Sequence, residues 1–111
     1  MFRNIVLFPH RAGQRRPGVD KTPYFIKSIL HPNSKIIDTP ITRDLSINLY
    51  NLYQKNVLLT GPRVNIGGDH SMSIATVADS LRRHPDLKVV WMDAHADINT
   101  YEHSTTKNVH G

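Results

Sequence analysis

No cysteine occurs in the 111 residues of this chain. That excludes a disulfide framework and any zinc site built on thiolates. It agrees with a reducing compartment. No apolar run approaches the length of a membrane span. The first one ends at Pro9, too soon for a secretory signal, so the cytoplasm is the expected location. Internal repeats and low-complexity segments are absent. Acidic residues are outnumbered, nine against fourteen lysines and arginines, which leaves a formal net charge of +5. A nucleic-acid surface, however, needs a dense basic stripe with interleaved aromatics. Arg11, Arg15, Arg16 and Lys21 cluster with only Tyr24 nearby, and Arg82 and Arg83 stand together elsewhere. A solvated surface is the simpler reading, and neither nucleic acid nor membrane is an expected partner. The length allows one domain at most.

What is present is an alternation of short apolar runs with segments of helical period. Ile5 to Phe8 reads as a buried strand closed by Pro9. Arg11 to Val19, with Gly13, Pro17 and Gly18, reads as a loop. Thr22 is a candidate N-cap with Pro23 in the first turn of a helix running to about Leu30. Lys35 to Asp38 is a second strand. Thr42 is a candidate cap for a helix from about Arg43 to Lys55, with Leu45, Leu49, Leu52 and Tyr53 on one face. Val57 to Leu59 extends that helix or forms a strand of its own. Arg63 to Ile66 is a strand entering a turn at Gly67-Gly68. Ser71 to Arg83 is helical, with Ile74, Val77, Ala78 and Leu81 on one face. Leu87 to Met92 is a continuous apolar run, the pattern of a central parallel strand covered on both faces. This βαβαβαβ order predicts an α/β fold with a parallel sheet.

Ligands of such sheets bind beyond the carboxyl ends of the strands. Two polar clusters fall there. His70 follows Gly67-Gly68-Asp69, and Asp93-Ala94-His95-Ala96-Asp97 follows the run at Trp91. If the pentapeptide is extended, Asp93, His95 and Asp97 point to one side. Three ionisable groups at the end of a buried strand repel and desolvate one another, and a cation removes that cost. Carboxylate oxygens with imidazole nitrogen suit manganese, iron or zinc. One ion could be held by His70, Asp93, His95 and Asp97. Two ions would need further acidic ligands, and beyond Asp97 only Glu102 remains. A two-ion site points to metal-assisted hydrolysis. His10, His31 and His84 read as caps or satisfied core groups. Downstream, Asn99, Ser104, Thr106 and Asn108 form a loop of hydroxyls and amides, either plain surface or neutral contacts for a polar small molecule. His110 titrates near working pH and could move a proton.

Gly67-Gly68-Asp69-His70-Ser71, Asp93-Ala94-His95-Ala96-Asp97-Ile98-Asn99-Thr100 and Asn108-Val109-His110-Gly111 together resemble the arginases among the manganese ureohydrolases. His84-Pro85-Asp86-Leu87, Val90-Trp91-Met92, Gly13-Gln14 and Arg16-Pro17-Gly18-Val19 are also similar to that family. The resemblance covers nearly the whole chain and is looser from Pro32 to Leu59. It implies a three-layer α/β/α fold with a parallel sheet of arginase/deacetylase type, whose strand order begins 2-1-3. It implies two Mn2+ ions, with His70, Asp93, His95 and Asp97 as ligands and Asp93 bridging. Asn99, Ser104, Thr106 and Asn108 would contact the amino-acid end of the substrate, beside His95 and Asp97, and His110 would be the proton shuttle. The implied reaction is hydrolysis of L-arginine to L-ornithine and urea, by a homo-oligomer. Lys107 stands where the family commonly has a small residue.

The second acidic motif of the family and its guanidinium-orienting glutamate have no counterpart here. Residues 1–111 therefore read as the N-terminal part of a single ureohydrolase domain, incomplete in this chain. Two strands would be missing between the third and fourth. Activity is expected of a full-length parent rather than of this chain alone. The alternatives are an agmatinase-type ureohydrolase, or a non-catalytic remnant that binds metal or a subunit.

Overall fold

Asn4–Phe8 form β1, the middle strand of a three-stranded parallel sheet in the order β2-β1-β3. The computed structural model describes residues 4–109. β2 is Lys35–Asp38 and β3 is Arg63–Gly67. The registers pair Val6 with Ile37 on one side and with Asn65 on the other. Val6, Leu7 and Phe8 are fully buried because β1 is flanked on both edges and covered on both faces. The observed order is the 2-1-3 that the family resemblance implies.

Three helices connect and cover the strands. α1 is Thr22–Ile29, preceded by a single 3-10 turn at Val19–Lys21. α2 is Leu45–Val57 and α3 is Met72–Arg83. The chain steps from β1 to β2 in one direction and from β2 back past β1 to β3 in the other. Parallel crossovers are right-handed, so the two connecting helices lie on opposite faces. Val6 and Phe8 meet Leu52 of α2 and Ala75 of α3 in the main core, with Leu49, Tyr53 and Met72 packed around them. Ile5 and Leu7 alternate to the other face and are also buried.

Several sequence expectations change at the ends of elements. Neither candidate threonine caps its helix. Lys21 occupies the N-cap of α1, which has no side-chain cap bond. Asp44 caps α2 by accepting from Ile47 N–H at 2.9 Å. Thr42 instead accepts from Asp44 N–H at 3.1 Å, which sets up that cap. Val57 ends α2 rather than opening a strand.

Two larger differences concern faces. α3 buries Ala75 and Asp79, while Ile74, Ala78 and Leu81 are exposed. Asp79 decides this rotation. It accepts from Arg63 at 3.4 Å, from Arg82 at 3.2 Å and from Arg83, so its carboxylate must face the sheet. The run at Leu87–Met92 is not a strand. Val90 is 83% and Met92 92% exposed, because among the described residues no neighbouring strand offers backbone partners or apolar cover.

Candidate metal and substrate site

The carboxyl edge of the sheet is organised by backbone bonds that continue the ladder past the strands. Thr39 N–H donates to Leu7 O at 3.0 Å, and Gly68 N–H to Phe8 O at 3.0 Å. Asp69 N–H donates to His10 O at 2.9 Å. A side chain on Gly68 would collide with that same His10 carbonyl, so glycine is required by close approach. These contacts place His70 immediately past β3, at the edge where α/β sheets bind ligands.

Three of the four expected metal ligands converge there. One ligand atom each from His70, Asp93 and Asp97 lies within 4.8 Å of the others. His70 Nδ1 is 3.1 Å from Asp93 Oδ2 and 2.6 Å from Asp97 Oδ2. The Trp91 ring stacks on the His70 imidazole, with centroids 4.8 Å apart and planes at 24°. The apolar run thus supplies a wall for the histidine rather than a strand.

His95 does not join this group. The pentapeptide bends at Asp93–His95 instead of extending. His95 N–H donates to Asp93 Oδ1 at 3.0 Å, an Asx-type turn that reverses the alternation of side chains. The His95 side chain is 84% exposed, and its Nδ1 is 3.8 Å from Asp93 Oδ1. Asp97 then adopts φ 51°, in the left-handed region that aspartate tolerates better than most residues. That turn directs its carboxylate back to His70. The expected single-faced row of three is replaced by a bend that keeps the two aspartates and releases the histidine.

The electrostatics suit a cation. The Asp93 carboxyl is held below the usual carboxylate range, chiefly by the His95 N–H and further by the charge of His70. Asp97 Oδ2 is buried and has no hydrogen-bond partner, although His70 Nδ1 is close by. A buried carboxylate oxygen without a donor is costly unless a cation shares it. The donor set, one imidazole and two carboxylates, fits manganese by its chemistry. Among the described residues this is the one such group; a second metal position is not assembled.

The loop after the motif is ordered around Ser104, which is buried. Ser104 Oγ and Thr106 Oγ1 are 3.2 Å apart, Lys107 N–H donates to Ser104 Oγ at 3.1 Å, and Asn108 N–H donates to Thr106 Oγ1 at 3.3 Å. Lys107 takes φ 56° and turns its ammonium onto the carbonyls of Tyr101 and Glu102, at 2.8 and 3.1 Å. Asn99 is exposed at the start of the loop. His110 lies outside the described residues.

His10, His31 and His84 keep the structural roles expected of them. His10 is buried with Nδ1 at 3.0 Å from Asn48 Nδ2. His31 Nδ1 accepts from Asn33 N–H at 3.2 Å, and His84 ends α3. Asp69 and Trp91 belong to the site without having been singled out. An acid between a glycine pair and a candidate ligand, and an aromatic two residues before another, were the available signals.

Comparison with known proteins places this geometry. The sequence profile of the Arginase family matches residues 4–111. The chain is 32% identical over 133 aligned positions to the arginase of Bacillus subtilis, covering 97% of this chain and 45% of that protein. Those positions exceed the 111 residues here, so the alignment carries gaps on this side. It is 54% identical over 48 residues to the mitochondrial arginase-2 of Rattus norvegicus, 43% of this chain and 14% of that protein. The crystal structure of arginase from Bacillus subtilis superposes with a TM-score of 0.82 at 30% identity, over 99% of this chain and 44% of that one.

Proposed function

Because the chain belongs to the arginase family, we propose that the protein containing it hydrolyses L-arginine to L-ornithine and urea. The observation that carries this reading is the convergence of His70, Asp93 and Asp97 at the carboxyl edge of an arginase-type sheet. These residues would hold manganese, and His95 would join them by turning in from solvent. A manganese ion held by these residues would supply activation of water for attack on the guanidinium carbon. Ser104, Thr106, Asn108 and Asn99 would bind the amino-acid end of the substrate through hydroxyls and amides, and His110 would carry a proton to the departing amine. The chain spans 45% of the Bacillus subtilis relative, so residues 1–111 are read as the first part of one ureohydrolase domain. Self-association and a cytoplasmic location complete the reading, on the family resemblance and the cysteine-free sequence.

Urea release from the manganese-loaded protein tests it. Release from L-arginine above a metal-only blank, and faster than from agmatine, is the expected result. Preference for agmatine would favour the agmatinase reading. Manganese binding with no turnover of either compound would favour the non-catalytic one, to which the displaced His95 lends weight.

A further inference from the structure

Lys107 is the charged residue of the loop after the metal motif that the proposed reaction leaves without a role. Its backbone stands at φ 56°; among the described non-glycine residues, Asp97 alone shares such a positive value. A Cβ makes that conformation costly, and glycine would escape the cost. What lysine adds at this position is its side chain.

That side chain closes the loop on itself. Thr100 O accepts from His103 N–H at 3.1 Å and from Ser104 N–H at 2.9 Å, which forms a single helical turn. The turn goes no further, so among the described residues no backbone N–H reaches the carbonyls of Tyr101 and Glu102. The Lys107 ammonium donates to both, at 2.8 and 3.1 Å, and lies 5.1 Å from the centre of the Tyr101 ring. A cation on the last carbonyls of a turn acts as its C-terminal cap. The Lys107 backbone N–H also donates to Ser104 Oγ at 3.1 Å. One residue thus grips the loop twice, by its ammonium at the first turn and by its amide at the buried Ser104. Ser104 Oγ in turn lies 3.2 Å from Thr106 Oγ1. Beyond Lys107, Val109 N–H donates to Gly13 O at 3.0 Å, which ties the far end of the loop to the turn after β1.

We propose that Lys107 is a positioning residue, whose ammonium straps the loop to its own first turn and so presets the Ser104 and Thr106 hydroxyls before a ligand arrives. The proposal deepens the reading of those hydroxyls as substrate contacts and rests on it. A preset loop gives up less conformational freedom on binding, which favours the bound state. Lys107 is exposed to water, so its effect is a few-fold change rather than a loss of binding.

The test is the exchange of the Ser104 and Asn108 amides with water, read by NMR, beside the binding of L-ornithine to the manganese-loaded protein. Lys107→Met keeps the stem and removes the ammonium. Both amides should exchange about fivefold faster, the scale of one net hydrogen bond, and L-ornithine should bind about threefold more weakly. The denaturant midpoint should not move. Lys107→Arg restores a cationic donor and should stay within about twofold of the unsubstituted protein on both measures. Lys107→Gly removes the backbone strain together with the strap, and its amides should still exchange faster. Unchanged exchange in Lys107→Met, slower exchange in Lys107→Gly, or faster exchange with unaltered L-ornithine binding would overturn the proposal. Absence of L-ornithine binding by the unsubstituted protein would instead overturn the reading of the loop as a substrate contact, and the exchange rates would still decide the strap.

Discussion

The Asp69 carboxylate joins the turn after β1 to the turn after β3 by accepting Gly13 N–H at 2.9 Å on one oxygen. Its other oxygen accepts Ser71 N–H at 2.9 Å and the Ser71 hydroxyl. The carboxylate is buried, so these bonds replace its hydration. His70 is the next residue along the chain, and its backbone inherits the fixed position. Asp69 is therefore a positioning residue for the metal cluster, beside the ligands and not among them.

Removing this anchor should cost stability. Asp69→Ala leaves two buried N–H groups and a hydroxyl without an acceptor, and a loss of about 2–4 kcal/mol is expected in denaturant unfolding. Gly13→Ala should destabilise as well, because an added Cβ would sit 2.8 Å from Asp69 Oδ1 and 2.8 Å from Ser71 Cβ. A cost of about 1–3 kcal/mol is the usual scale of such overpacking. A neutral Gly13→Ala would show that the two turns do not approach as closely as described.

Manganese binding should separate the clustered ligands from the displaced one. His70→Ala and Asp97→Asn are each expected to weaken Mn2+ binding at least about tenfold, as measured by the free-ion paramagnetic signal. His95→Ala should weaken it by a smaller factor, because that side chain must turn in from solvent before it can join the ion. No loss at His95→Ala would mean that His95 stays outside the metal cluster.

Asp79 should be the most sensitive charged residue outside the site. It is 1% exposed and is surrounded by Arg63, Arg82 and Arg83. Asp79→Ala would leave the Arg63 guanidinium nearly buried without its counterion, at a cost of about 3–5 kcal/mol. Arg82→Ala should cost under about 1 kcal/mol, since its side chain is 46% exposed. Thermal or denaturant unfolding of the two variants checks the contrast.

Stability should fall on mild acidification, through His10. Asn48 Oδ1 accepts from the Thr42 backbone and hydroxyl at 2.7 and 3.0 Å, so its amide nitrogen faces His10 Nδ1 and donates to it. Burial holds the His10 pKa below 6.5, with Asp69 opposing only in part. The unfolded chain therefore takes up a proton at a pH where the fold still refuses it. Stability is full above about pH 6.5 and declines below it, by at most about 1.4 kcal/mol per pH unit, until the folded pKa is passed. Unfolding free energies at pH 7.5 and 5.5 should show a difference that His10→Gln abolishes. A difference that survives the substitution would assign the acid sensitivity elsewhere.

The segment before Asp93 offers a further check on the fold. Val90→Thr should be neutral within about 0.5 kcal/mol, because Val90 is 83% exposed. In a central strand the same change would bury a hydroxyl and cost more.

Much of this structure was legible in the residues. Strands at Ile5, Lys35 and Arg63 and helices over Leu45 and Met72 follow from apolar period and breakers, which are local properties. So does the location of His70 and Asp93 at the carboxyl edge, because strand direction and the turn at Gly67-Gly68 leave no other end for them. The errors share a cause. Leu87–Met92 has the composition of a buried strand, but a strand exists only where another backbone pairs with it. Ile74 and Leu81 have the period of a buried face, but the ion pairs of Asp79 turned the helix the other way.

At the metal motif the division is sharpest. The choice of two aspartates and two histidines, and with it the class of ion, is written in side-chain chemistry and needs no fold. Which of them meet is not, because a single backbone bond from His95 N–H to Asp93 Oδ1 and a left-handed Asp97 outweigh the alternation of an extended chain. The bond from Val109 N–H to Gly13 O belongs to the same category. Contacts between residues far apart in the chain depend on how packed elements lie against each other, and no local pattern encodes that distance.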